Sequence, residues 1–326
     1  MKNKTMLTDL YQLTMNAAYE DNAKCGKATF DLFIRKLPDD WNYFIACGIE
    51  DAINYATSLS FSEEDIEELR TRTPLPEEFL QTLKDFKFEG EIYAVKEGTL
   101  ITENMPLLRV TSTLPQAQFL ESTLLNIINF QTMVASKANR IVNAARGAPV
   151  VEFGLRRAQG EDAAMLGARA SYIAGFSGTS NVKAGIEYNI PIAGTHAHSF
   201  VMSFKDELEA FRAYAKTFPL NSTLLIDTYD VEKGARNAAI VGKELEEKGF
   251  RLKSVRIDSD PLAEKSDLVR KILDEQGLSY VGIFATNDLN EYKIEALQGH
   301  SVSGYGVGTE NITGKPVAAI SGVYKL

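Results

Sequence analysis

Six clusters of charged, hydroxyl and glycine residues stand at the ends of short apolar runs in the second half of the chain. Phe153-Gly154-Leu155-Arg156-Arg157 joins an aromatic ring to two cations. Gly178-Thr179-Ser180-Asn181 offers hydroxyls and helix-start amides, a combination suited to an anion. Gly194-Thr195-His196-Ala197-His198-Ser199 carries two of the three histidines. Asp227-Thr228-Tyr229-Asp230 and Arg256-Ile257-Asp258-Ser259 supply carboxylates and a cation. Gly306-Val307-Gly308-Thr309 is a glycine pair able to turn backbone N–H groups toward a phosphate. Each has a plainer reading: an Arg-Arg pair is usually a solvated surface pair, and Gly-x-Gly-Thr is more often a turn. His196-x-His198 on a strand would place both rings on one face, as in a metal pair, but a third ligand would have to come from Asp227 or Asp258, so metal ligation is the less favoured reading and no metal-binding residues are expected. Taken together, the clusters point to a phosphate-bearing anionic substrate and a histidine oriented by a carboxylate.

These clusters need elements to hold them in one place. The runs end at Phe153, Phe176, Thr195, Asp227, Asp258, Thr286 and Gly306, with spacings of 23, 19, 32, 31, 28 and 20 residues. That is the period of βα units and predicts a parallel β/α barrel whose strand ends carry the site. A doubly wound sheet usually opens with a Gly-rich phosphate fingerprint, and the first turn here reads FGLRRAQG instead. Before the barrel, the pieces EIYAVK, TLIT and LLRVTST between 88 and 114 predict a small antiparallel sheet, and 116–145 reads as a long helical region. The domain expectation is therefore a sheet-rich α+β domain over 1–115 and a barrel over 116–326.

Composition narrows the class. With 35 Lys+Arg against 44 Asp+Glu in 326 residues, the chain has a net charge of −9 and no basic block, which disfavours nucleic acid. A hydrophobic fraction of 44% builds a sizeable core and excludes intrinsic disorder. Cys25 and Cys47 make neither a disulfide framework nor a metal pattern. The polar start MKNKTMLTDLYQLTM lacks a signal-peptide core, and the apolar stretch Leu120–Ile128 is too short and polar to span a bilayer. The expectation is a soluble cytoplasmic enzyme without membrane partners.

VEFGLRRAQG (151–160), GFSGTSNV (175–182), GTHAHSFVMSF (194–204), DTYD (227–230), RIDS (256–259), GVGT (306–309) and the N-terminal LTDLYQLTM (7–15) together resemble nicotinate phosphoribosyltransferases. The resemblance keeps order and spacing from about Leu7 to the end. It implies a type II phosphoribosyltransferase fold, an irregular parallel β/α barrel with a smaller sheet domain, working as a homodimer with composite active sites. It implies joining of nicotinate to phosphoribosyl pyrophosphate (PRPP) for NAD biosynthesis and salvage. The reaction would be coupled to ATP hydrolysis through a phosphohistidine, as in the ATP-dependent ligase class, with Mg²⁺ accompanying PRPP and ATP. His198, rather than His196, matches the phosphorylated histidine. Asp227 would hold its ring in the correct tautomer. Phe153 would stack on the pyridine ring, Arg156 would neutralise carboxylate or phosphate, and Thr195 and Ser180 match base contacts. Tyr11 would close the other ring face from the partner subunit. Arg256 and Asp258 match ribose and pyrophosphate contacts, and Gly306, Gly308 and Thr309 the 5′-phosphate loop.

Three departures accompany the resemblance. Asp258-Ser259-Asp260-Pro261 stands where the family usually has Asp-Ser-Gly-Asp, placing a negative charge toward pyrophosphate or Mg²⁺. Thr286-Asn287-Asp288 stands for Ser-Gly-Asp. The chain stops at GVYKL, where relatives usually continue with strands that return to the sheet domain; a naturally short member, a truncated chain or half of a split gene would each fit. Two other readings accompany the leading one: a nicotinamide phosphoribosyltransferase of the same fold, and a degenerate paralogue that binds ligand without turnover.

Overall fold

The computed structural model describes residues 4–326. They form two compact units, one of the described residues up to Ser136 together with Val317–Leu326, the other Lys137–Pro316. In the first, β1 (Lys27–Ile34) lies between β12 (Gly322–Lys325) and β5 (Pro106–Thr113), and β3 (Gly90–Ala94) pairs with β5, all antiparallel. Alternation along β1 buries Phe30, Leu32 and Ile34 on one face. Phe30 stacks on Tyr324 of β12 at 4.7 Å, so the last strand is bound into this sheet by its own core residue. The run TLIT forms β4 (Leu100–Ile101), which leaves the main sheet to pair with β2 (Phe44–Ile45). Helices α1 (Leu10–Asp21), α2 (Ile49–Thr57), α3 (Glu63–Arg72), α4 (Glu77–Thr82) and α5 (Leu114–Phe119) complete this unit. The helix α6 (Glu121–Ala144) follows α5, so the single long helical region expected over 116–145 is two helices.

In the second unit, β6 (Val150–Glu152), β7 (Gly178–Thr179), β8 (Thr223–Leu225), β9 (Ser254–Ile257), β10 (Gly282–Ala285) and β11 (Gly304–Val307) are all parallel. The ladder runs β7-β6-β11-β10-β9-β8. Neighbours follow in chain order and β11 returns to β6, which is the circuit of a parallel β/α barrel. Beyond β7 the circuit continues through one parallel bridge, Thr179 to Ile192. Helices α7 (Glu161–Ile173), α8 (Val182–Glu187), α9 (His198–Met202), α10 (Glu207–Thr217), α11 (Val231–Glu247), α12 (Leu262–Glu275), α13 (Glu291–Ala296) and α14 (Thr309–Ile312) connect the strands.

Two of the seven expected strands differ. Tyr172-Ile173 ends α7 rather than forming a strand, because AAMLGARASYI is a continuous run of helix formers that stops only near Gly175, whose φ is +111°. The strand proper is the pair Gly178–Thr179. The run PIAGT contributes the single bridge at Ile192. Where the pattern is strong, packing is close: a Cβ on Gly234 of α11 would lie 1.9 Å from the carbonyl oxygen of Ile226, just past β8. Glycine there lets the helix rest directly on the strand end that delivers Asp227.

Candidate active site

The carboxyl ends of β6 to β11 carry the clusters singled out in the sequence. Arg256, on β9, is the centre of one group. Its Nη1 donates to Thr195 Oγ1 at 2.6 Å and to the carbonyl of His196 at 3.4 Å, and its Nη2 donates to Asp258 Oδ2 at 3.2 Å. Asp258 Oδ1 accepts from the hydroxyl of Thr286 at the end of β10. Asp227 Oδ2 accepts from the Asp258 backbone N–H at 2.7 Å and from the Ser259 hydroxyl. Lys265 Nζ in turn donates to Ser259 Oγ at 2.7 Å. Thr195, Asp227, Arg256 and Asp258 are thus brought together by direct contacts between neighbouring strand ends. Two of their polar atoms, Asp227 Oδ1 and Arg256 Nε, are buried with no partner among the described residues.

His198 begins α9, with a side chain 41% exposed. Its Nδ1 is 3.1 Å from Thr228 Oγ1, and its Nε2 is 3.7 Å from Asp258 Oδ2. The expected Asp227–His198 pair is not formed. Asp227 is turned into the backbone of the next strand end, and Thr228 takes the position beside the imidazole. The expected common face of His196 and His198 is also absent, because residues 194–197 are irregular and His198 is already helical. His196 is 7% exposed, with ring centroids of Phe200 at 5.2 Å, Tyr214 at 4.8 Å and Phe211 at 6.2 Å. Burial, with the nearby charges of Arg256 and His198, lowers its pKa to about 4 against the acceptor Ala197 carbonyl, so the ring is neutral.

A second group surrounds Phe153. A Cβ on Gly306 would lie 2.6 Å from the Phe153 ring and 2.7 Å from Thr286 Cγ2, so only glycine leaves that ring its place. Gly308 approaches the same residue, since a Cβ there would lie 3.1 Å from the Phe153 carbonyl. Thr309 opens α14. Arg156 is exposed on the short 3-10 turn Leu155–Arg157, with no ion-pair partner among the described residues. Ser180 donates its backbone N–H to the Glu152 carbonyl at 2.9 Å. Asn181, not Ser180, caps α8, accepting from Ala184 N at 3.2 Å. That leaves the Ser180 hydroxyl uncommitted among the described residues. Tyr11 stands on α1 of the first unit, 46% exposed.

Glu152 is a residue the sequence reading passed over. It is 1% exposed, and burial raises its pKa against the hydroxyl of Thr179 and the N–H of Gly154, both of which it accepts. One side chain therefore fixes the start of the Phe153–Arg156 turn and the Thr179–Ser180 turn. The available signal was a lone carboxylate inside the apolar run VVEF. Thr228 and Thr286 stand in motifs the sequence singles out, but only the fold places their hydroxyls against His198 and Asp258.

Residues 6–129 match the family description nicotinate phosphoribosyltransferase (NAPRTase) N-terminal domain, and residues 149–314 match the nicotinate phosphoribosyltransferase (NAPRTase) family. Among curated proteins, nicotinate phosphoribosyltransferase pncB2 of Mycobacterium tuberculosis is 42% identical over 323 residues, covering 98% of this chain and 69% of its own length. Nicotinate phosphoribosyltransferase of Bacillus subtilis is also 42% identical over 323 residues, covering 98% of this chain and 66% of its own length. The crystal structure of human nicotinic acid phosphoribosyltransferase superposes with a TM-score of 0.86 at 30% identity, covering 98% of this chain and 74% of that one. The nicotinate-nucleotide pyrophosphorylase of Pyrococcus furiosus shares the fold, with a TM-score of 0.80 at 22% identity over 99% of this chain and 75% of that one. This chain therefore spans about two thirds of the length of the first two relatives.

Proposed function

The chain belongs to the nicotinate phosphoribosyltransferase family, and on that footing we propose that it forms nicotinate mononucleotide and pyrophosphate from nicotinate and PRPP. ATP hydrolysis is coupled to this step through phosphorylation of His198. The observation that carries the reading is the hydrogen-bonded cluster of Thr195, Arg256, Asp258 and Thr286, whose Asp258 lies 3.7 Å from His198 Nε2. The cation and hydroxyls of that cluster suit a ligand rich in oxygens and hydroxyls, such as a sugar pyrophosphate.

The chemistry asked of the chain is modest. The pyridine nitrogen of nicotinate bonds to C1′ of PRPP as the C1′–oxygen bond breaks, and the electron pair leaves with pyrophosphate. Phe153 holds the base by its ring, and Arg156 faces the base carboxylate or a phosphate with a planar fork suited to either. Arg256 neutralises charge that grows on the departing pyrophosphate. Gly306, Gly308 and Thr309 receive the 5′-phosphate. Asp227 and Asp258 are hard oxygen donors that would help hold a Mg²⁺ entering with PRPP, which would spread the negative charge of the pyrophosphate.

A proton on Nδ1 of His198, donated to Thr228 Oγ1, leaves the Nε2 lone pair as the acceptor for a phosphoryl group from ATP. Such coupling shifts the loops toward PRPP only if the phosphate interacts differently with their two arrangements. Tyr11 of the partner subunit closes the base site in a homodimer, as the family resemblance implies. Supplying nicotinate and nicotinamide separately with PRPP, and identifying the nucleotide by mass, tests the reading. Nicotinate mononucleotide alone supports it; nicotinamide mononucleotide as main product favours the nicotinamide enzyme, and neither product favours a binding protein.

A further inference from the structure

The barrel ladder is interrupted between the segment at Ile192 and β8. Around that interruption, Ile226 donates its N–H to Arg256 O of β9 at 3.1 Å. Backbone N–H groups alternate along a strand, so Leu225 N–H faces the opposite edge of β8, where a barrel neighbour would stand. It does not lack a partner: His196 Nε2 accepts it at 3.2 Å. The ring that accepts is neutral, because burial against Phe200, Tyr214 and Phe211 disfavours the charged form. Its Nδ1 lies 3.4 Å from the Ala197 carbonyl, which takes the proton and leaves Nε2 as acceptor.

Two further contacts cross the same gap. Arg256 reaches from β9 to Thr195 Oγ1 at 2.6 Å and to the His196 carbonyl at 3.4 Å. The residue whose ring holds β8 is therefore the residue whose backbone helps hold Arg256. Two positions later the same chain becomes α9 and presents His198.

We infer that His196 is a positioning residue, whose imidazole serves as the missing hydrogen-bond rung between the Thr195–His198 segment and the free edge of β8. Through that rung it fixes Arg256 and His198 relative to the ends of β8 and β9. The inference rests on the proposed function for its kinetic consequence but not for its geometry. Without the rung, a buried backbone N–H on β8 is orphaned, and the segment carrying Thr195 is free to drift from Arg256. Arg256, which meets PRPP, and Thr195, which meets the base, should both lose their place, since each is held by the other.

The test compares His196→Gln, His196→Asn and His196→Leu with the unsubstituted chain. A glutamine Oε1 stands close to where Nε2 stood, whereas asparagine is too short to reach and leucine cannot accept. Amide hydrogen exchange of the peptide containing Leu225 is read first, since it needs no turnover. The Asn and Leu variants should lose protection at Leu225 by about tenfold or more, and Gln should restore most of it. In turnover, Asn and Leu should raise KM for both PRPP and nicotinate, each about tenfold, and both should be rescued by Gln. If Leu does not fold, Asn decides, being polar and smaller. Unchanged Leu225 protection in the Asn variant overturns the rung. Lost protection with both KM values unaltered, or no rescue of KM by Gln, overturns the positioning role. No turnover by the unsubstituted chain counts against the proposed function alone, and the exchange comparison still decides the rung.

Discussion

Asn287 donates from Nδ2 to Oδ2 of Asp260 at 2.9 Å, joining the loop after β10 to the loop after β9. These are the two positions where the chain departs from glycine in the family pattern. Asn287 holds φ of +97°, a conformation that glycine adopts freely and asparagine at a cost. Asp260 is exposed, and its carboxylate is engaged by the neighbouring loop. The two departures act as one clasp and are not independent losses.

A double-mutant cycle on that clasp should be non-additive. Asp260→Gly should cost about 1 kcal/mol by removing a hydrogen bond to a charged group. Asn287→Gly loses the same bond but relieves backbone strain of about 1 kcal/mol, and should be near neutral alone. In the Asp260→Gly background it should stabilise by about 1 kcal/mol. Chemical unfolding of the four proteins measures this; strict additivity would mean that the bond contributes nothing.

His198→Ala should reduce ATP hydrolysis by about a hundredfold or more, since a phosphoryl acceptor has no substitute. Acid-labile phosphate should disappear with it. Peptide mapping of the phosphorylated protein should place the label at His198. A label at His196 would contradict the assignment, and its buried, hydrogen-bonded Nε2 is the reason not to expect one.

Ser180→Asp should change base selectivity. The Ser180 hydroxyl is not used as a helix cap, since Asn181 has that role. A carboxylate at about 4 Å from that of nicotinate would cost roughly 4 kcal/mol at an effective dielectric near 20. Competition between the two bases should therefore show nicotinate use falling steeply and the nicotinamide-to-nicotinate ratio rising. An unchanged ratio would return selectivity to Arg156 and Thr195.

The neutral, buried His196 makes stability depend on acidity. Its folded pKa is lowered to about 4, from the ordinary imidazole value of 6.5. Above pH 6.5 both states are unprotonated and the group adds no pH dependence. As pH falls from there, the unfolded chain takes the proton first, and stability is lost until the folded pKa is reached. The groups facing the ring are Arg256, His198 and Tyr214; the positive charge of Arg256 adds to the depression caused by burial. The full loss is about 3 kcal/mol. Unfolding followed from pH 7 to pH 4 should show this decline, and His196→Gln should flatten it. Parallel slopes in the two proteins would mean that His196 titrates normally in the fold.

Much of this site can be read in the sequence, and the remainder fails for definable reasons. The run ends at Phe153, Asp227, Asp258, Thr286 and Gly306 are strand ends, because apolar β-branched runs of regular spacing leave few other folds. The run ending at Phe176 reads like a strand but extends a helix, since a short apolar run has no period of its own. Partnership is harder to read than proximity. Asp227 and His198 belong to neighbouring strand ends, yet whether a carboxylate meets a ring or a backbone N–H depends on sub-ångström placement. The role of His196 is invisible in sequence, because it fills a break in a ladder that itself emerges only on folding.

The central claim is tested most directly by pyrophosphate release from PRPP in the presence and absence of nicotinate and of ATP. The account predicts release that requires nicotinate, is increased by ATP, and in the ATP case is accompanied by ADP formation that vanishes in His198→Ala. Release no greater with nicotinate than without it would contradict the account.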